Sequence, residues 1–333
     1  MSRNNAGSER IHALLQATSR TFALSIEGLP QRLRDQIAVS YLLLRVSDYL
    51  EDHEELPAQE KIRLLGIWEA TLEQPSLKDR FVGELSRVPH RPDDPEADAA
   101  FECGLLLDAL ADFPARVARI IVHRVRETTR GMAVWQARGP RVETVDELDD
   151  YMHHVAGLVG YLVTELFAAH FGSIAERRVR LMPLAHEFGL ALQTVNVLRG
   201  LRKDYDRGWV FVPQAFCAAY GLALADLFRA SERGRAMHVV ADLIEKAEQH
   251  LRSGLEYVRV IPRRFHRVRL ACMWPLLFAA QTLAISRNNP AVLAGEVKIG
   301  RPSIRKIIRD TTLFGWSNSW LTSYATRLLT HPA

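Results

Sequence analysis

The stretch YLLLRVSDYLED, residues 41–52, combines a helical apolar pattern with charged residues on one line of the helix. Four side chains share that line at roughly 100° per residue: Tyr41, Arg45, Asp48 and Asp52. A buried face carries an arginine and two carboxylates only where those groups have partners. The pattern therefore predicts that cations meet this face of the helix.

The rest of the chain has the same helical character. Apolar residues recur at spacings of three and four in nine segments, near 8–26, 30–53, 58–73, 100–135, 146–172, 176–204, 223–256, 266–287 and 301–329. WVFVP (209–213) is β-prone but short. PHRPDDPEADA (89–99) is interpreted as a surface loop. We predict a single all-α domain over residues 1–333, of about nine or ten helices packed around a central apolar cavity.

Composition indicates a soluble globular chain, with 333 residues, 48% hydrophobic and 25% charged. The N-terminus lacks the apolar segment of a signal peptide. The uncharged run LACMWPLLFAAQTLAIS (270–286) contains proline and glutamine and is slightly short for a membrane span, which predicts a buried core helix. Three isolated cysteines form neither a zinc pattern nor a disulfide framework. These features predict a cytoplasmic location.

Charge is only mildly basic, at +4 with a pI near 9.0. No nucleic-acid motif accompanies it, so we expect no nucleic-acid partner. The cluster IPRRFHRVR (261–269) suits phosphates or an anionic membrane surface, although a solvated basic loop explains it equally well. We predict peripheral contact with the inner face of a membrane, through Arg263, Arg264 and Arg267.

A second polar stripe lies within residues 192–213. Its members follow spacings of three, four and four: Gln193, Asn196, Gly200 and Asp204. Carboxylate and amide oxygens suit Mg²⁺, which is typically shared with substrate phosphates. Arg45 and Arg199 suit the phosphate oxygens. On spacing alone, ordinary salt bridges between helices, such as Asp48 with Arg199, explain both stripes at least as well.

Six segments, taken in their order along the chain, favour a site for Mg²⁺ and phosphate over ordinary salt bridges. They are TSRTFALSI (18–26), YLLLRVSDYLED (41–52), YMHHVAGLVG (151–160), LQTVNVLRGLRKD (192–204), FVPQ (211–214) and EVKIG (296–300). Over nearly its whole length the chain resembles the squalene and phytoene synthases, the head-to-head isoprenyl diphosphate synthases. The resemblance implies the all-α isoprenoid synthase fold and Mg²⁺ bound between two aspartate motifs. It also implies condensation of two farnesyl diphosphates to presqualene diphosphate, then reduction by NADPH to squalene.

The resemblance also implies roles for individual residues. Asp48, Asp52, Asn196 and Asp204 correspond to the metal ligands. The expected diphosphate-binding residues are Ser19, Arg20, Arg45, Gln193 and Arg199. The resemblance implies Tyr151, Tyr41 and Arg199 as catalytic residues. Tyr41 is expected at the mouth of the site, and Tyr151 is expected to remove the proton whose loss closes the cyclopropane ring. Lys298 is a weak candidate for binding NADPH. His153 and His154 are expected to be structural, and Gly157 and Gly160 to permit close helix packing.

Three positions depart from the family pattern: Gly200 replaces an aspartate of the second motif, Leu276 replaces a glutamine, and Gly300 replaces a basic residue. The first leaves three alternatives open. In the first, water or Asn196 replaces the missing ligand in an active enzyme. In the second, the enzyme completes only one half-reaction or uses another prenyl substrate, as in phytoene-type C40 condensation. In the third, the protein is a catalytically silent family member that acts as a binding or assembly protein. The ending RLLTHPA predicts no C-terminal anchor of the kind eukaryotic squalene synthases carry.

Overall fold

The computed structural model describes residues 2–91 and 93–330, apart from the side chains of residues 2–5 and Arg20. The described part is helical and contains no β-strand, which confirms the all-α prediction. The β-prone segment 209–213 contributes only an isolated bridge between Val210 and Arg141. Proline ends that segment, so it is too short to build a sheet.

The described residues form α-helices and a few single turns of other helix types. The α-helices are α1 (Ser2–Thr18), α2 (Arg20–Glu27), α3 (Gln31–Asp52), α4 (Ala58–Glu73), α5 (Lys78–Leu85), α6 (Pro95–Phe101), α7 (Cys103–Ala111), α8 (Ala115–Arg138), α9 (Val145–Met152), α10 (Leu158–His170), α11 (Gly172–Ala175), α12 (Arg178–Asp206), α13 (Gln214–Ala219), α14 (Arg233–Val260), α15 (His266–Ser286), α16 (Arg301–Phe314) and α17 (Asn318–Thr330). A π-helical turn, His153–Gly157, joins α9 to α10. Short 3-10 turns are Pro75–Leu77, Leu224–Phe228, Ala230–Glu232 and Pro290–Leu293.

The count of nine or ten helices was too low, because several predicted helices are broken. Ser19 ends α1 and caps α2, its Oγ accepting a hydrogen bond from the Phe22 amide at 3.2 Å. Pro114 separates α7 from α8, as proline fits the start of a helix but not its interior. The loop prediction for 89–99 was also wrong in part: Asp94 accepts a hydrogen bond from the amide of Glu96 and starts α6.

By contacts, the chain divides into two compact units. Unit 1 is Met1–Gly139 with Tyr161–Glu176, and unit 2 is Pro140–Gly160 with Arg177–Ala333. The single domain over residues 1–333 and the central apolar cavity stay predictions.

In unit 1, α3 is the central helix, packed on α4 and α8 among others. Two buried hydrogen bonds fix the register of α3 against α8 and α4. The Ser47 hydroxyl lies 2.7 Å from the Thr129 hydroxyl and accepts a hydrogen bond from Trp68 Nε1 at 3.1 Å. Buried polar groups that satisfy one another in this way specify one packing arrangement. The α3 stripe is therefore held on a rigid helix.

In unit 2, the main contacts are among α12, α14 and α15. Helix α12 also packs closely on the π-helical turn and the start of α10. A β-carbon on Gly160 would lie 2.0 Å from the carbonyl oxygen of Ala185, and a β-carbon on Gly189 would lie 2.3 Å from the carbonyl oxygen of Ala156. Only glycine permits this approach, as expected for Gly160 and Gly157. By length and composition, α15 is the one helix of the described chain apolar enough to cross a membrane, but 89% of that window is buried, in line with a core helix.

Candidate functional site

The α3 stripe in unit 1 is held by ion pairs. Nη1 of Arg45 donates to Oδ2 of Asp48 at 2.8 Å, and Nη2 of Arg45 donates to Glu96 of α6. These side chains are partly buried, with 21% of Arg45 and 26% of Asp48 exposed. The sequence interpretation missed Glu96 because its segment was assigned to a loop. Glu96 is an acid, so this contact does not supply the cations that the sequence predicts for this face.

Carboxylates outnumber cations at this site. Burial raises the pKa of Asp48 to about 6, and the nearby charges of Asp52 and Glu96 add to the rise, while Arg45 opposes it. Asp48 and Asp52 are one helical turn apart, so both belong to the same face of α3. A site that raises a carboxyl pKa through neighbouring carboxylates gains from an added cation. This donor set fits Mg²⁺, which needs few protein carboxylates when phosphates and water complete its shell.

Tyr41 and Ser19 lie together beside this stripe. Burial raises the pKa of the Tyr41 phenol, while Arg45 and hydrogen bonds from Ser19 and Thr18 oppose the shift. Ser19 is the N-cap of α2, so the amides of the first turn of α2 point toward it. Ser19, Tyr41 and Arg45 thus lie near one another, while their roles at the site stay predictions. The side chain of Arg20, which begins α2, lies outside the described residues.

The second stripe, in unit 2, lies on α12. Asn196 donates from Nδ2 to Oε1 of Gln193 at 3.3 Å, one turn apart. Arg199 is ion-paired with Glu296, and the same carboxylate lies 2.6 Å from Nζ of Lys298. Glu296 thus joins the predicted diphosphate-binding arginine to the weak cofactor candidate. The acidic residue was missed as a site residue, although it begins the quoted EVKIG segment.

At the C-terminal end of α12, Asp204 turns back over the glycine that replaces a family aspartate. A β-carbon on Gly200 would lie 2.8 Å from Oδ2 of Asp204. The other oxygen, Oδ1, pairs with Nη2 of Arg207 at 2.9 Å, and only 14% of the Asp204 side chain is exposed. Gly200 therefore leaves the space that the Asp204 carboxylate occupies.

Tyr151 is buried in unit 2 as the end of an aromatic stack. Its ring lies 4.3 Å from that of Phe211 at an interplanar angle of 16°, and Phe211 stacks on Trp209 at 5.6 Å. Only 5% of Tyr151 is exposed. The sequence singled out Tyr151 but missed the two rings of WVFVP, which stack on it. Aromatic faces attract cations, so this stack suits a positively charged intermediate.

Histidines follow Tyr151 in the π-helical turn and join a network of unit 2. Nδ1 of His153 lies 3.0 Å from Nε2 of His186, and Glu187 lies 2.8 Å from Nδ1 of His250. Hydrogen bonds from His186 and His250 lower the pKa of Glu187 to about 2. No group of three or more His, Cys, Asp or Glu side chains suited to a metal occurs in the part of the chain described. The network agrees with the structural role expected for His153.

Comparison with known proteins adds the family. A sequence model described as squalene/phytoene synthase matches residues 15–304. The squalene synthase of Schizosaccharomyces pombe is 27% identical over 310 residues, covering 90% of this chain and 64% of that protein. The squalene synthase of Homo sapiens is 29% identical, covering 90% of this chain and 68% of that protein. The chain thus spans about two thirds of the length of these curated relatives. A solved complex described as TcSQS with the ligand BPH1237 has a TM-score of 0.84 at 25% identity, covering 97% of this chain and 91% of that one.

Proposed function

The chain belongs to the squalene/phytoene synthase family, and from that premise we propose that it condenses two prenyl diphosphates head to head in a Mg²⁺-dependent reaction. The substrates of the proposal are two molecules of farnesyl diphosphate. The product is presqualene diphosphate or an unreduced C30 compound formed from it. A prenyltransferase of isoprenoid biosynthesis is what the names of the relatives support.

The observation that carries the proposal is a matching arrangement on two helices. On α3, Arg45 is ion-paired with Asp48. On α12, Asp204 is ion-paired with Arg207, and Arg199 is adjacent to Gly200 and lies about one turn from Asn196. Arginines prefer the bidentate oxygens of phosphate as much as those of carboxylate. An incoming diphosphate therefore exchanges with the carboxylates and releases them for a cation.

The residues that would hold Mg²⁺ are the acids and amide of the two stripes: Asp48, Asp52, Asn196 and Asp204. When bound, Mg²⁺ neutralises charge that collects on the departing diphosphate. Asp48 supports this assignment, because its raised pKa reflects burial among other carboxylates. The replacement of an aspartate by Gly200 leaves α12 with one acid fewer, and Asn196 and water would supply the remaining oxygen ligands.

The reaction begins when the carbon–oxygen bond of one substrate breaks and its electron pair leaves with the diphosphate. Arg45 and Arg199 donate hydrogen bonds to the oxygens on which that charge collects, as do Ser19 and Gln193. The double bond of the second substrate then attacks the allylic cation and forms a new carbon–carbon bond. Loss of one proton closes the cyclopropane ring.

Tyr151 is the group proposed to take that proton. A phenol with an ordinary pKa near 10 is protonated at neutral pH, so its own proton passes to the released diphosphate in the same step. The stack of Tyr151 on Phe211 places an aromatic face beside the phenol. Burial of this stack keeps water away from the cation, which water would otherwise quench. Tyr41, on the α3 stripe, lies beside Ser19, where it orients the diphosphate-binding side chains.

For the reductive half-reaction, the sequence offers one weak candidate among the described residues. That candidate, Lys298, is 65% exposed and its charge is balanced by Glu296. A dinucleotide needs more contacts than one exposed lysine, so these residues do not fit NADPH. Without a reductant, the proposed reaction ends at presqualene diphosphate or an unreduced C30 product.

Release of diphosphate from farnesyl diphosphate tests this proposal. Wild-type protein with Mg²⁺ is compared with Asp48→Asn, and with Asp108→Asn as a matched control. Asp108 is an acid of α7 in the same unit whose side chain is 70% exposed. We expect Asp48→Asn to lose turnover by orders of magnitude and the control to keep it. Equal turnover in all three proteins contradicts the assignment.

The chain length of the substrate and the silent alternative are separated in the same assay. A phytoene-type enzyme consumes the C20 diphosphate in preference to the C15 one. A binding or assembly protein consumes neither at any Mg²⁺ concentration, and purifies with a protein partner.

A further inference from the structure

Exposed apolar side chains are concentrated at one turn of unit 2. Six large apolar residues are notably exposed in the part of the chain the structure describes, and three of them fall within four positions: Leu313 at 57%, Phe314 at 50% and Trp316 at 54%. They surround Gly315, where α16 ends before α17 begins. Single exposed apolar residues are ordinary, but a contiguous group is typical of a binding surface.

The rings of this turn are supported from behind. Phe314 lies 5.7 Å from Trp320, which stacks on Tyr324 at 4.5 Å. The hydroxyl of Tyr324 donates to Asp310 at 3.1 Å. Phe314 therefore projects from a packed group of aromatic rings.

A basic turn is fastened beside this aromatic turn. It is the segment between α14 and α15, which contains the exposed Arg263 and Arg264, and Arg267 follows on the first turn of α15. The buried Arg269 donates from Nη1 to the Ile261 carbonyl at 2.9 Å and from Nη2 to the Gly315 carbonyl at 3.2 Å.

A second contact joins the two turns: Nε2 of His266 lies 3.1 Å from the Thr312 carbonyl oxygen. The basic and aromatic side chains thus belong to one surface. We call it the arginine–aromatic surface, made of Arg263, Arg264, Arg267, Leu313, Phe314 and Trp316.

The charge of the whole C-terminal segment favours one kind of partner. Residues 257–333 contain 12 lysines and arginines but only two acids, a net charge of +10, whereas the full chain carries +4. The remainder is therefore net negative. No acid occurs between residues 257 and 295, the stretch that contains the basic turn. An asymmetry of this size attracts a polyanionic surface and orients the protein on it.

We propose that the arginine–aromatic surface docks on a bilayer containing anionic lipid, with Phe314 and Trp316 inserted at the headgroup level and the three arginines on lipid phosphates. Aromatic side chains favour that depth, and cationic residues near the surface strengthen binding. The proposal rests on these side chains and not on the proposed chemistry. An enzyme whose product carries a C30 apolar chain gains from such contact, because the product leaves directly into lipid.

The test is co-sedimentation of the purified chain with vesicles, either of phosphatidylcholine alone or of phosphatidylcholine mixed with phosphatidylglycerol. We expect binding to the mixed vesicles at low salt that weakens as salt screens the charges. Arg263→Gln, Arg264→Gln and Arg267→Gln together should weaken binding about 100-fold, at roughly fivefold per charge. Phe314→Ser with Trp316→Ser should weaken it about tenfold or more.

A matched control removes the same charge elsewhere. Arg233 and Arg235 lie at the start of α14, about 40 Å along that helix from the basic turn, and Arg229 lies four residues before the helix begins. Their replacement by glutamine should leave vesicle binding within about twofold of wild type. Equal losses in the control and in the basic-turn variant refute a specific surface.

Trp316 gives an independent readout of orientation. Brominated lipid should quench part of the tryptophan fluorescence in wild type, and Trp316→Phe should lose that quenching while still binding vesicles. Circular dichroism and thermal unfolding confirm that each variant is folded. Absence of wild-type binding at low salt overturns the proposal. A dimer that dissociates on Phe314→Ser with Trp316→Ser, without vesicle binding, assigns the surface to a second copy of the chain and also overturns it.

Discussion

Gly200 is the position at which stability and function are expected to separate. A β-carbon there would lie 2.8 Å from Oδ2 and 3.4 Å from Cγ of Asp204. Because contacts that short are not tolerated, Gly200→Ala should rotate the Asp204 carboxylate away. The Asp204–Arg207 pair, 2.9 Å in length, then weakens.

The two effects on stability oppose each other. Alanine in place of glycine inside a helix stabilises by about 1 kcal/mol. Loss of an ion pair between residues three apart costs about 0.3–0.5 kcal/mol. The net gain is about 0.5 kcal/mol, which for a chain of this size raises Tm by about 1 °C. Thermal unfolding followed by circular dichroism should therefore show Gly200→Ala slightly more stable than wild type.

Function should change in the opposite direction. If Asp204 holds Mg²⁺, moving its carboxylate raises the Mg²⁺ concentration needed for half-maximal turnover, by about tenfold for about 1.4 kcal/mol of lost binding. Gly200→Asp displaces Asp204 in the same way but adds a carboxylate, so its requirement should fall below that of Gly200→Ala. Comparing Gly200→Ala with Gly200→Asp separates the effect of the added β-carbon from the effect of the added charge.

The assay measures diphosphate release against Mg²⁺ concentration for the three proteins, with unfolding curves of the same samples. A stable Gly200→Ala protein with the Mg²⁺ requirement of wild type refutes the role given to Asp204. If Gly200→Asp keeps the metal requirement but changes the product, Gly200 instead provides space for a substrate group.

The other predictions concern unit 1 and the buried polar groups of unit 2. Asp52→Ala should reduce turnover by orders of magnitude with an unchanged helical circular dichroism spectrum, and undiminished turnover removes its assignment to Mg²⁺. Glu187→Gln should destabilise the protein by about 1–2 kcal/mol at neutral pH, a figure reduced because the side chain is partly exposed. The pKa of Glu187 in the folded protein, about 2, lies below the ordinary 4.5, so wild type should lose this extra stability as pH falls from about 4.5 toward 2. Urea unfolding of both proteins at several pH values measures the difference. Arg269→Met should lower the free energy of unfolding in urea by about 3–5 kcal/mol, because it leaves buried carbonyls without their donor. A decrease below about 1 kcal/mol contradicts the role of Arg269 in joining the basic turn to the aromatic turn.

The sequence was sufficient for features that repeat along one helix. The apolar spacing predicted the helices, and the spacing of Asp48 and Asp52 placed both on one face of α3. The Asp204–Arg207 pair, three residues apart, is equally local and was open to the same reasoning. Breaks were harder to predict, because Ser19 and Pro114 interrupt patterns that continue in phase on both sides.

Contacts between distant segments could not be predicted from spacing. Glu96 joins Arg45 across 51 positions, and Glu296 joins Arg199 across 97. Periodicity within one helix contains no information on which segment packs beside it, so these acids were missed. The fastening of the basic turn to the aromatic turn by Arg269 is of the same kind.

Product identification tests the central claim most directly. The purified chain is incubated with farnesyl diphosphate and Mg²⁺, with and without NADPH, and the products are separated and identified by mass spectrometry. The account predicts presqualene diphosphate or an unreduced C30 compound, formed with release of diphosphate and abolished by a chelator. Intact farnesyl diphosphate, or farnesol alone, would contradict head-to-head condensation by this protein.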